Sequence, residues 1–332
     1  MPHIITRKVE SVEQNWLKQL SNAISDPTKL LQALEIDPTP WQKGFAAREL
    51  FSLRVPLSFV ERMEKGNPHD PLLRQVLPLH EEFNIHDGYS DDPLDEQSNE
   101  IPGLLHKYKS RVLMIVKGGC AINCRYCFRR HFPYQDNRIG KNDWQGILDY
   151  VEKDSSIEEL ILSGGDPLML NDQQLERFIK QAEAIPHLER LRIHTRLPVV
   201  IPQRITDQLI NVLQNSRFHC VIVFHINHSQ EIDPPLSQGL LKLQRAGISL
   251  LNQAVLLRGV NDTVETQTQL SKDLFKSGVL PYYLHLLDKV TGAHHFDVEE
   301  AAAQQLHQNM ILSLSGYLVP KLVREEPGKG SK

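Results

Sequence analysis

The sequence is poor in cysteine and contains no long apolar run. It holds four cysteines among 332 residues, which is typical of proteins from a reducing compartment. No stretch approaches the ~18 consecutive apolar residues that a membrane-spanning helix requires, and residues 1–10 lack the apolar core of a signal peptide. The net charge of -4 disfavours phosphate-backbone binding, because such proteins usually present a basic face. We therefore expect a cytoplasmic protein whose partners include neither a membrane nor a nucleic acid.

Three of the four cysteines lie in one short segment. Cys120, Cys124 and Cys127 follow the apolar run 111–116. Cys220 stands alone in the strand-like run 218–225, where a cysteine usually acts as a small buried hydrophobe. Thiolates are the ligands that iron–sulfur clusters and zinc prefer. A four-iron cluster held by three cysteines would leave one iron without a protein ligand, so the spacing predicts an iron–sulfur site open to a further ligand.

Two other interpretations of this cysteine segment remain open. Zinc sites normally use four ligands, often as two separated pairs. The sequence has no second C-x2-C pair, but His131 lies close enough to complete a set of three cysteines and one histidine. Three cysteines could also fall at this spacing by chance, although the scarcity of cysteine argues against that.

Residues 111–287 alternate between short apolar runs and longer amphipathic stretches. This alternation predicts right-handed βαβ units and a parallel sheet, hence an α/β fold. The predicted strands are 111–116, 160–163, 191–195, 220–225, 249–255 and 282–287, and the predicted helices are 144–152, 172–184, 206–214, 236–246 and 264–276. Six strands favour a partial (β/α)6 TIM-like barrel over a closed barrel of eight strands.

Residues 1–100 predict a mainly helical segment that ends in a linker. Apolar residues recur near the helical period in 11–24, and the stretches 26–34 and 41–51 have the pattern of further short helices. The segment 86–102 is acidic and predicts a solvated loop without chemistry. The barrel would then occupy 101–332, including the C-terminal tail.

Polar side chains follow every predicted strand. The cysteine segment follows the first strand, 163–167 the second and 194–196 the third; 225–228, 252–253 and Asp288 end the other three. The carboxyl ends of parallel strands meet at one end of a barrel, where functional loops lie. We therefore expect a single site to contain these residues.

Several motifs together resemble the lysine 2,3-aminomutase family. They are the C-x3-C-x2-C spacing within 111–130, which matches the radical S-adenosylmethionine (SAM) enzymes, and the segments 163–166, 198–206, 256–262 and 281–283. The resemblance runs from about residue 75 to the C-terminus. Within the family, the sequence is most similar to the bacterial aminomutase that makes β-lysine for modifying elongation factor P.

The resemblance implies a [4Fe-4S] cluster whose open iron is chelated by SAM. The cluster ligands would be Cys120, Cys124 and Cys127. Gly164, Gly165 and Asp166 match the motif that meets the amino group of SAM; taken alone, this stretch would predict only a turn. Weaker matches to the shell around the cofactors are His225, Asn227, His228, Asn252 and Gln253.

The resemblance also implies pyridoxal 5′-phosphate (PLP), which needs a lysine to form an imine. Lys332 matches that lysine and Lys329 is its rival, although a terminus rich in glycine and lysine would otherwise predict a frayed tail. Lys107 and Arg111 match the basic residues that serve the PLP phosphate, and Tyr108 matches an aromatic beside the ring.

The implied reaction moves the amino group of L-lysine from carbon 2 to carbon 3. Arg129 matches the residue that holds the substrate carboxylate. Asp288 and Glu325 match two acids around the distal ammonium, with Glu326 competing for the second place. Two carboxylates around one buried cation would select lysine over shorter or uncharged amino acids.

The implied partners are an electron donor such as a flavodoxin or ferredoxin, elongation factor P with its lysine ligase, and further copies of the chain in a homo-oligomer. No zinc is expected, because Thr263 stands where some longer relatives carry a zinc-binding cysteine. Two other functions remain open. One is a radical SAM enzyme that acts on another amino acid, a nucleic acid or a protein side chain, and the other is a metal-stabilised binding module.

Overall fold

The computed structural model describes residues 12–97, 101–134 and 144–329. These residues contain an eight-stranded sheet whose spatial order follows the order along the chain. Its strands are β1 (Leu104–Tyr108), β2 (Arg111–Lys117), β3 (Glu159–Gly164), β4 (Arg190–Thr195), β5 (His219–Phe224), β6 (Ser249–Val255), β7 (Leu280–His285) and β8 (Lys321–Val323).

The sheet is parallel from β2 to β8, and β1 pairs antiparallel with β2. All six predicted strands are confirmed as β2 to β7, which supports the prediction of an α/β partial TIM-like barrel. The two outer strands were not predicted. β8 has only three residues and β1 is a short hairpin partner of β2, so neither carries enough sequence for a periodic signal.

The helices α1 to α5 precede the sheet, and α6 to α12 lie between or after its strands. Their bounds are α1 (Val12–Ser21), α2 (Pro27–Ala33), α3 (Gln42–Phe45), α4 (Leu57–Val60), α5 (Pro71–Arg74), α6 (Gln145–Lys153), α7 (Asp172–Ala182), α8 (Leu197–Val200), α9 (Asp207–Gln214), α10 (Pro234–Arg245), α11 (Val264–Lys276) and α12 (Glu300–Ser313). The five predicted barrel helices are confirmed as α6, α7, α9, α10 and α11.

Polar side chains begin several of these helices. Asn171, Thr206, Asp233 and Thr263 each accept a hydrogen bond from a backbone N–H in the first turn of the following helix. Such caps satisfy donors that have no partner within the helix. They fix where each helix leaves the loop at the carboxyl end of a strand, and so they shape that end of the barrel.

The N-terminal helices pack against the barrel. Trp16 in α1 is 1% exposed and belongs to the same apolar core as the strand residues Leu162 and Ile193. The Arg204 guanidinium also lies 5.0 Å from the centre of the Trp16 ring. The helices predicted in 11–24 and 26–34 are confirmed, whereas 41–51 forms only short α and 3-10 turns. Residues 12–97 therefore help to support the barrel, although the boundary near residue 100 stays a prediction.

The acidic segment 86–97 is not solvated throughout, so that part of the linker prediction is wrong. Leu94 and Glu96 are each 4% exposed. Ser90 pairs with Val290 in an isolated β-bridge. The charges in this segment suggested a loop in water, but ion pairs with the barrel compensate for the burial of Glu96.

None of the helices in the described ranges has the length and apolar character needed to cross a membrane.

Candidate active site

A cavity of about 760 Å³ opens at the carboxyl ends of the barrel strands. This volume lies within the range of small-molecule and cofactor sites, which is ~300–1,000 Å³. Fifteen residues predicted for the site line it: Lys107, Tyr108, Arg111, Cys120, Cys124, Cys127, Arg129, Gly164, Gly165, Asp166, His225, Asn227, Gln253, Asp288 and Glu325. The barrel thus brings together residues that are more than 200 positions apart in the sequence.

The three cysteines follow β2 on a loop at the rim of this cavity. Each is partly exposed. The surrounding protein, together with the other thiols and Asp166, raises the pKa of Cys120 well above its ordinary value. Burial and then Cys124 raise the pKa of Cys127 to about 11. Thiols that disfavour each other's ionisation need a cationic centre to become thiolates together.

The three thiols are not arranged as the ligands of a single metal ion. Within the described parts of the chain, no three Cys, His, Asp or Glu side chains converge as the ligands of one metal ion would. In an iron–sulfur cluster each cysteine binds a different iron, so the thiols are farther apart. His131 lies 3.4 Å from Thr291 O and 3.6 Å from Asp91 Oδ1, so the structure does not place it with the cysteines as the zinc interpretation requires.

Two glycines allow the loop after β3 to touch the cysteine loop. A Cβ on Gly165 would lie 2.6 Å from Gly119 O, and one on Gly164, whose φ is +115°, would lie 2.6 Å from Lys117 O. Both positions therefore exclude a side chain. Gly165 N donates to Lys117 O at 2.7 Å and Asp166 N to Gly119 O at 3.0 Å. These contacts set the position of the backbone just before Cys120.

The Asp166 carboxylate connects the ends of β3 and β4. It accepts hydrogen bonds from Leu168 N at 3.0 Å, from Thr195 Oγ1 at 2.8 Å, and from Arg196 N and Leu197 N at 2.8 Å each. Burial raises the pKa of Asp166, while these donors oppose the shift. The carboxylate lines the cavity, but both of its oxygens already bind the protein. Its predicted contact with the amino group of SAM stays a prediction.

Arg196, on the loop after β4, contacts the cysteine loop directly. Its Nη1 lies 2.7 Å from Cys124 Sγ, and its Nη2 donates to Gln75 Oε1 at 2.7 Å and to Glu231 Oε2 at 2.9 Å. Tyr126 also accepts from Nη1. A cation that donates to a ligand sulfur favours the thiolate, and such contacts tune the potential of a cluster.

A second ion-pair group holds the cysteine loop from outside the cavity. Glu82 lies between Arg125 and Arg130, with Arg125 Nε 2.9 Å and Arg130 Nη2 2.7 Å from its oxygens. All three side chains are fully buried. Arg125 also donates to Ala47 O at 3.1 Å. The N-terminal segment thereby anchors the loop that carries the cysteines.

A basic group lies at the β1–β2 hairpin. The Arg111 guanidinium stacks 3.9 Å from the centre of the Tyr108 ring, a favourable cation–π distance. Lys107 Nζ lies 2.9 Å from Glu96 Oε1 and 3.4 Å from Glu325 Oε1. Burial lowers the pKa of Lys107, but these two carboxylates outweigh it and raise the pKa above its ordinary value. Lys107 is therefore protonated at neutral pH, and with Arg111 it gives this corner two cationic side chains that suit an anionic group.

Arg129 lies on the cysteine loop and is 7% exposed. Its Nε donates to Glu96 Oε2 at 2.7 Å, and its Nη1 donates to Ser163 Oγ at 3.1 Å and to Gly164 O at 3.3 Å. Asp288 and Glu325, which also line the cavity, follow the later strands β7 and β8. The cavity thus combines a fixed guanidinium with two acids from other strands.

Proteins of known family have sequences similar to this chain. The sequence matches the Radical SAM superfamily over residues 114–266. It is 54% identical to the L-lysine 2,3-aminomutase of Escherichia coli (strain K12), over 100% of this chain and 97% of that protein. The corresponding protein of Haemophilus influenzae is also 54% identical, over 96% of this chain and 95% of its own length. That of Clostridium subterminale is 34% identical, over 96% of this chain and 77% of its own length.

This chain belongs to the lysine 2,3-aminomutase family. The family resemblance is thereby confirmed, and so is the prediction of an isomerase. Membership in a radical SAM family also implies a [4Fe-4S] cluster and SAM, to which the three cavity-lining cysteines are suited.

Not every residue predicted from the lysine 2,3-aminomutase resemblance reaches the cavity. His228 does not line it; its Nδ1 instead accepts from Gln230 N at 3.2 Å, and burial lowers its pKa. Asn252 does not line the cavity either, whereas Asn227, which was also predicted, does. Lys332 lies outside the described residues. Lys329 is exposed and pairs with Glu326 at 2.7 Å.

The predictions made from the sequence missed several residues of this site. Glu96 was assigned to a solvated linker, and the supporting residues Gln75 and Glu231 carried no motif at all. Arg196 was noted only as a polar residue after a strand. A buried charge resembles an exposed one in sequence, so only the ion pairs in the folded chain distinguish them.

Proposed function

We propose that this chain is a PLP-dependent L-lysine 2,3-aminomutase that converts L-lysine to β-lysine by 1,2-amino migration. The proposal rests on the side chains that line one cavity. There, three cysteines, a basic corner and an Arg129 guanidinium share the space with two acids from later strands. These groups match, in kind, a cluster, a phosphate, a carboxylate and an ammonium.

The cluster and SAM would be held at the rim by Cys120, Cys124 and Cys127. Three thiols leave one iron for a further ligand. When bound, the cluster and SAM supply a carbon-centred radical that removes a hydrogen atom from carbon 3 of lysine. The chain contributes placement: Gly164 and Gly165 bring the loop after β3 against the cysteine loop. Arg196 donates to Cys124.

The PLP phosphate would be held at the basic corner by Arg111 and Lys107, beside Tyr108. Cationic donors bind phosphate strongly, and both side chains line the cavity. When bound, PLP would supply the carbon–nitrogen double bond through which the amino group moves from carbon 2 to carbon 3. We assign the imine to Lys332. Its rival Lys329 is a weaker candidate because its side chain is 68% exposed and paired with Glu326.

L-lysine would bind through its two ends. Arg129 would take the α-carboxylate, and Asp288 and Glu325 would take the distal ammonium. Both kinds of contact pair an ionised donor with an ionised acceptor, which gives the stronger class of hydrogen bond. A fixed cation and two acids within one cavity favour a substrate with a carboxylate at one end and an ammonium at the other. Holding both ends would also keep carbon 3 in place and exclude water from the radical.

The product would serve modification of elongation factor P, through the lysine ligase that acts on that factor. Electrons would come from a flavodoxin or ferredoxin, and the enzyme would work in the cytoplasm as a homo-oligomer. The similarity to the short bacterial aminomutases supports these assignments, since the chain covers 97% of the Escherichia coli protein.

The test is anaerobic turnover. The cluster is reconstituted, SAM, PLP, dithionite and L-lysine are added, and β-lysine is followed by mass spectrometry. We expect β-lysine with little net loss of SAM. Cleavage of SAM without β-lysine would reject lysine as the substrate. A PLP absorbance band that is lost in Lys332→Ala but kept in Lys329→Ala would support the assigned imine, and the reverse result would overturn it.

A further inference from the structure

A buried carboxylate joins the two basic groups of the cavity. Glu96 is 4% exposed, and its two oxygens lie 2.9 Å from Lys107 Nζ and 2.7 Å from Arg129 Nε. Burial raises its pKa, but Arg129 and Lys107 outweigh this and keep the pKa of Glu96 below its ordinary value. The carboxylate is therefore ionised at neutral pH. A buried charge of this kind is retained only when its partners compensate for lost hydration.

The hydrogen bonds of Arg129 leave one nitrogen of its guanidinium for a ligand. Glu96 accepts from Nε, while Ser163 Oγ and Gly164 O accept from Nη1 and so use both of its N–H groups. Over the described ranges, Nη2 has no hydrogen-bond partner. A charged N–H donor of this kind forms a strong hydrogen bond with a carboxylate. Nη2 is therefore the donor that remains for an incoming carboxylate.

We propose that Glu96 is a positioning residue that holds Arg129 with its Nη2 toward the substrate carboxylate. This inference rests on the proposed function, because it takes Arg129 as the carboxylate contact. The Arg129 side chain has several rotatable bonds, and holding it in one orientation costs conformational entropy. Of its three acceptors, Glu96 alone is charged and lies nearest, at 2.7 Å, whereas Ser163 Oγ and Gly164 O lie at 3.1 and 3.3 Å. A charged pair gives the stronger class of hydrogen bond, so Glu96 contributes most to this orientation. The centre of the Phe128 ring lies 4.8 Å from the guanidinium carbon.

The contact between Glu96 and Lys107 is a separate effect. Lys107 Nζ also donates to Leu94 O at 3.2 Å and to Glu325 Oε1 at 3.4 Å. It therefore keeps two anchors when Glu96 is changed. Loss of the Arg129 contact should weaken the binding only of ligands that carry a carboxylate. Loss of the Lys107 contact should weaken the binding of every ligand that binds together with PLP.

The experiment compares two ligands on the holoenzyme by calorimetry. L-lysine carries the carboxylate and L-lysinamide replaces it with a neutral amide. The variant Glu96→Gln keeps the size and an acceptor oxygen but removes the charge. The matched control is Asp172→Asn, which removes another buried carboxylate, 2% exposed and 2.7 Å from Arg204, that does not line the cavity. Steady-state KM and kcat for L-lysine are measured alongside.

For Glu96→Gln we expect L-lysine affinity to fall about tenfold or more, as a displaced positioning group does. Binding of L-lysinamide should change by no more than about twofold. KM for L-lysine should rise more than kcat falls, and Asp172→Asn should match the wild type for both ligands. Should Glu96→Gln fail to fold, Glu96→Asp keeps the charge with a shorter reach. It should also weaken L-lysine binding more than L-lysinamide binding, by a smaller factor.

Equal weakening of both ligands, or an unchanged affinity for L-lysine, would overturn the inference. So would a control variant that lost L-lysine binding to the same extent. A wild-type holoenzyme that neither binds L-lysine nor forms β-lysine is a different result, because it would refute the proposed function itself.

Discussion

Replacing Gly165 with alanine should separate the two loops that build the cluster end of the cavity. The new Cβ would lie 2.6 Å from Gly119 O, whereas ordinary contact begins at 3.4 Å. The loops must therefore move apart by the difference, about 0.8 Å. That movement strains the hydrogen bonds Gly165 N to Lys117 O and Asp166 N to Gly119 O.

The expected cost of Gly165→Ala is about 3 kcal/mol or more. Each of the two strained hydrogen bonds contributes ~1 kcal/mol, and overpacking of this size costs a further ~1 kcal/mol or more. For a chain of 332 residues, the unfolding entropy of ~2.1 cal/mol/K per residue makes each kcal/mol lower Tm by about 1.4 °C. We therefore expect Tm to fall by at least about 4 °C. Iron retained after reconstitution should fall too, because Cys120 directly follows the displaced backbone.

The matched control is Gly119→Ala on the same loop. A Cβ at Gly119 would meet no atom within 4 Å, so Tm should stay within about 1 °C of wild type, as for surface substitutions without a clash. Both variants are measured by differential scanning calorimetry and by iron analysis. If Gly165→Ala unfolds at the wild-type temperature and retains wild-type iron, the two loops are not held together by the close approach of Gly165.

Three further predictions concern other parts of the molecule. Cys127→Ala should lose most of the reconstituted iron while Cys220→Ala keeps it; equal iron in both would contradict the assigned ligands. Asp288→Asn should raise KM for L-lysine roughly 10- to 100-fold, the value of a charged hydrogen bond, whereas the exposed Glu326→Gln should stay near wild type in the same kinetic assay. Burial, and then His294 and nearby arginines, lower the pKa of His295 from 6.5 to about 3. The folded state therefore favours the neutral ring, whereas the unfolded chain binds a proton at a higher pH. The free energy of unfolding should therefore fall by up to ~1.4 kcal/mol per unit as pH drops from 6.5 toward 3, and denaturant titrations of His295→Gln should show a smaller slope.

Local features of the chain accounted for the elements and the cluster ligands. The six central strands and the five helices between them were predicted because each element carries its own apolar period and end signals within a short stretch. The three cysteines were recognised because a cluster loop keeps its ligands close together in sequence. The outer strands β1 and β8 carried too few residues for such a signal.

The supporting charges of the site were decided by tertiary structure. Glu96 lies 33 residues from Arg129, and Arg196 lies 72 residues from Cys124. Nothing within either short stretch tells whether its charge faces water or a partner. Glu96, in an acidic segment, was for that reason predicted to be solvated.

The sequence by itself predicted the barrel, its polar end and three cysteines as cluster ligands, because the signals for these features lie between neighbours in the chain; the structure confirmed the barrel and placed the three cysteines at the cavity. Only the folded structure decided which charges are buried together, since the free energy of an ion depends on what surrounds it. Around the cavity, folding placed Glu96 between Arg129 and Lys107.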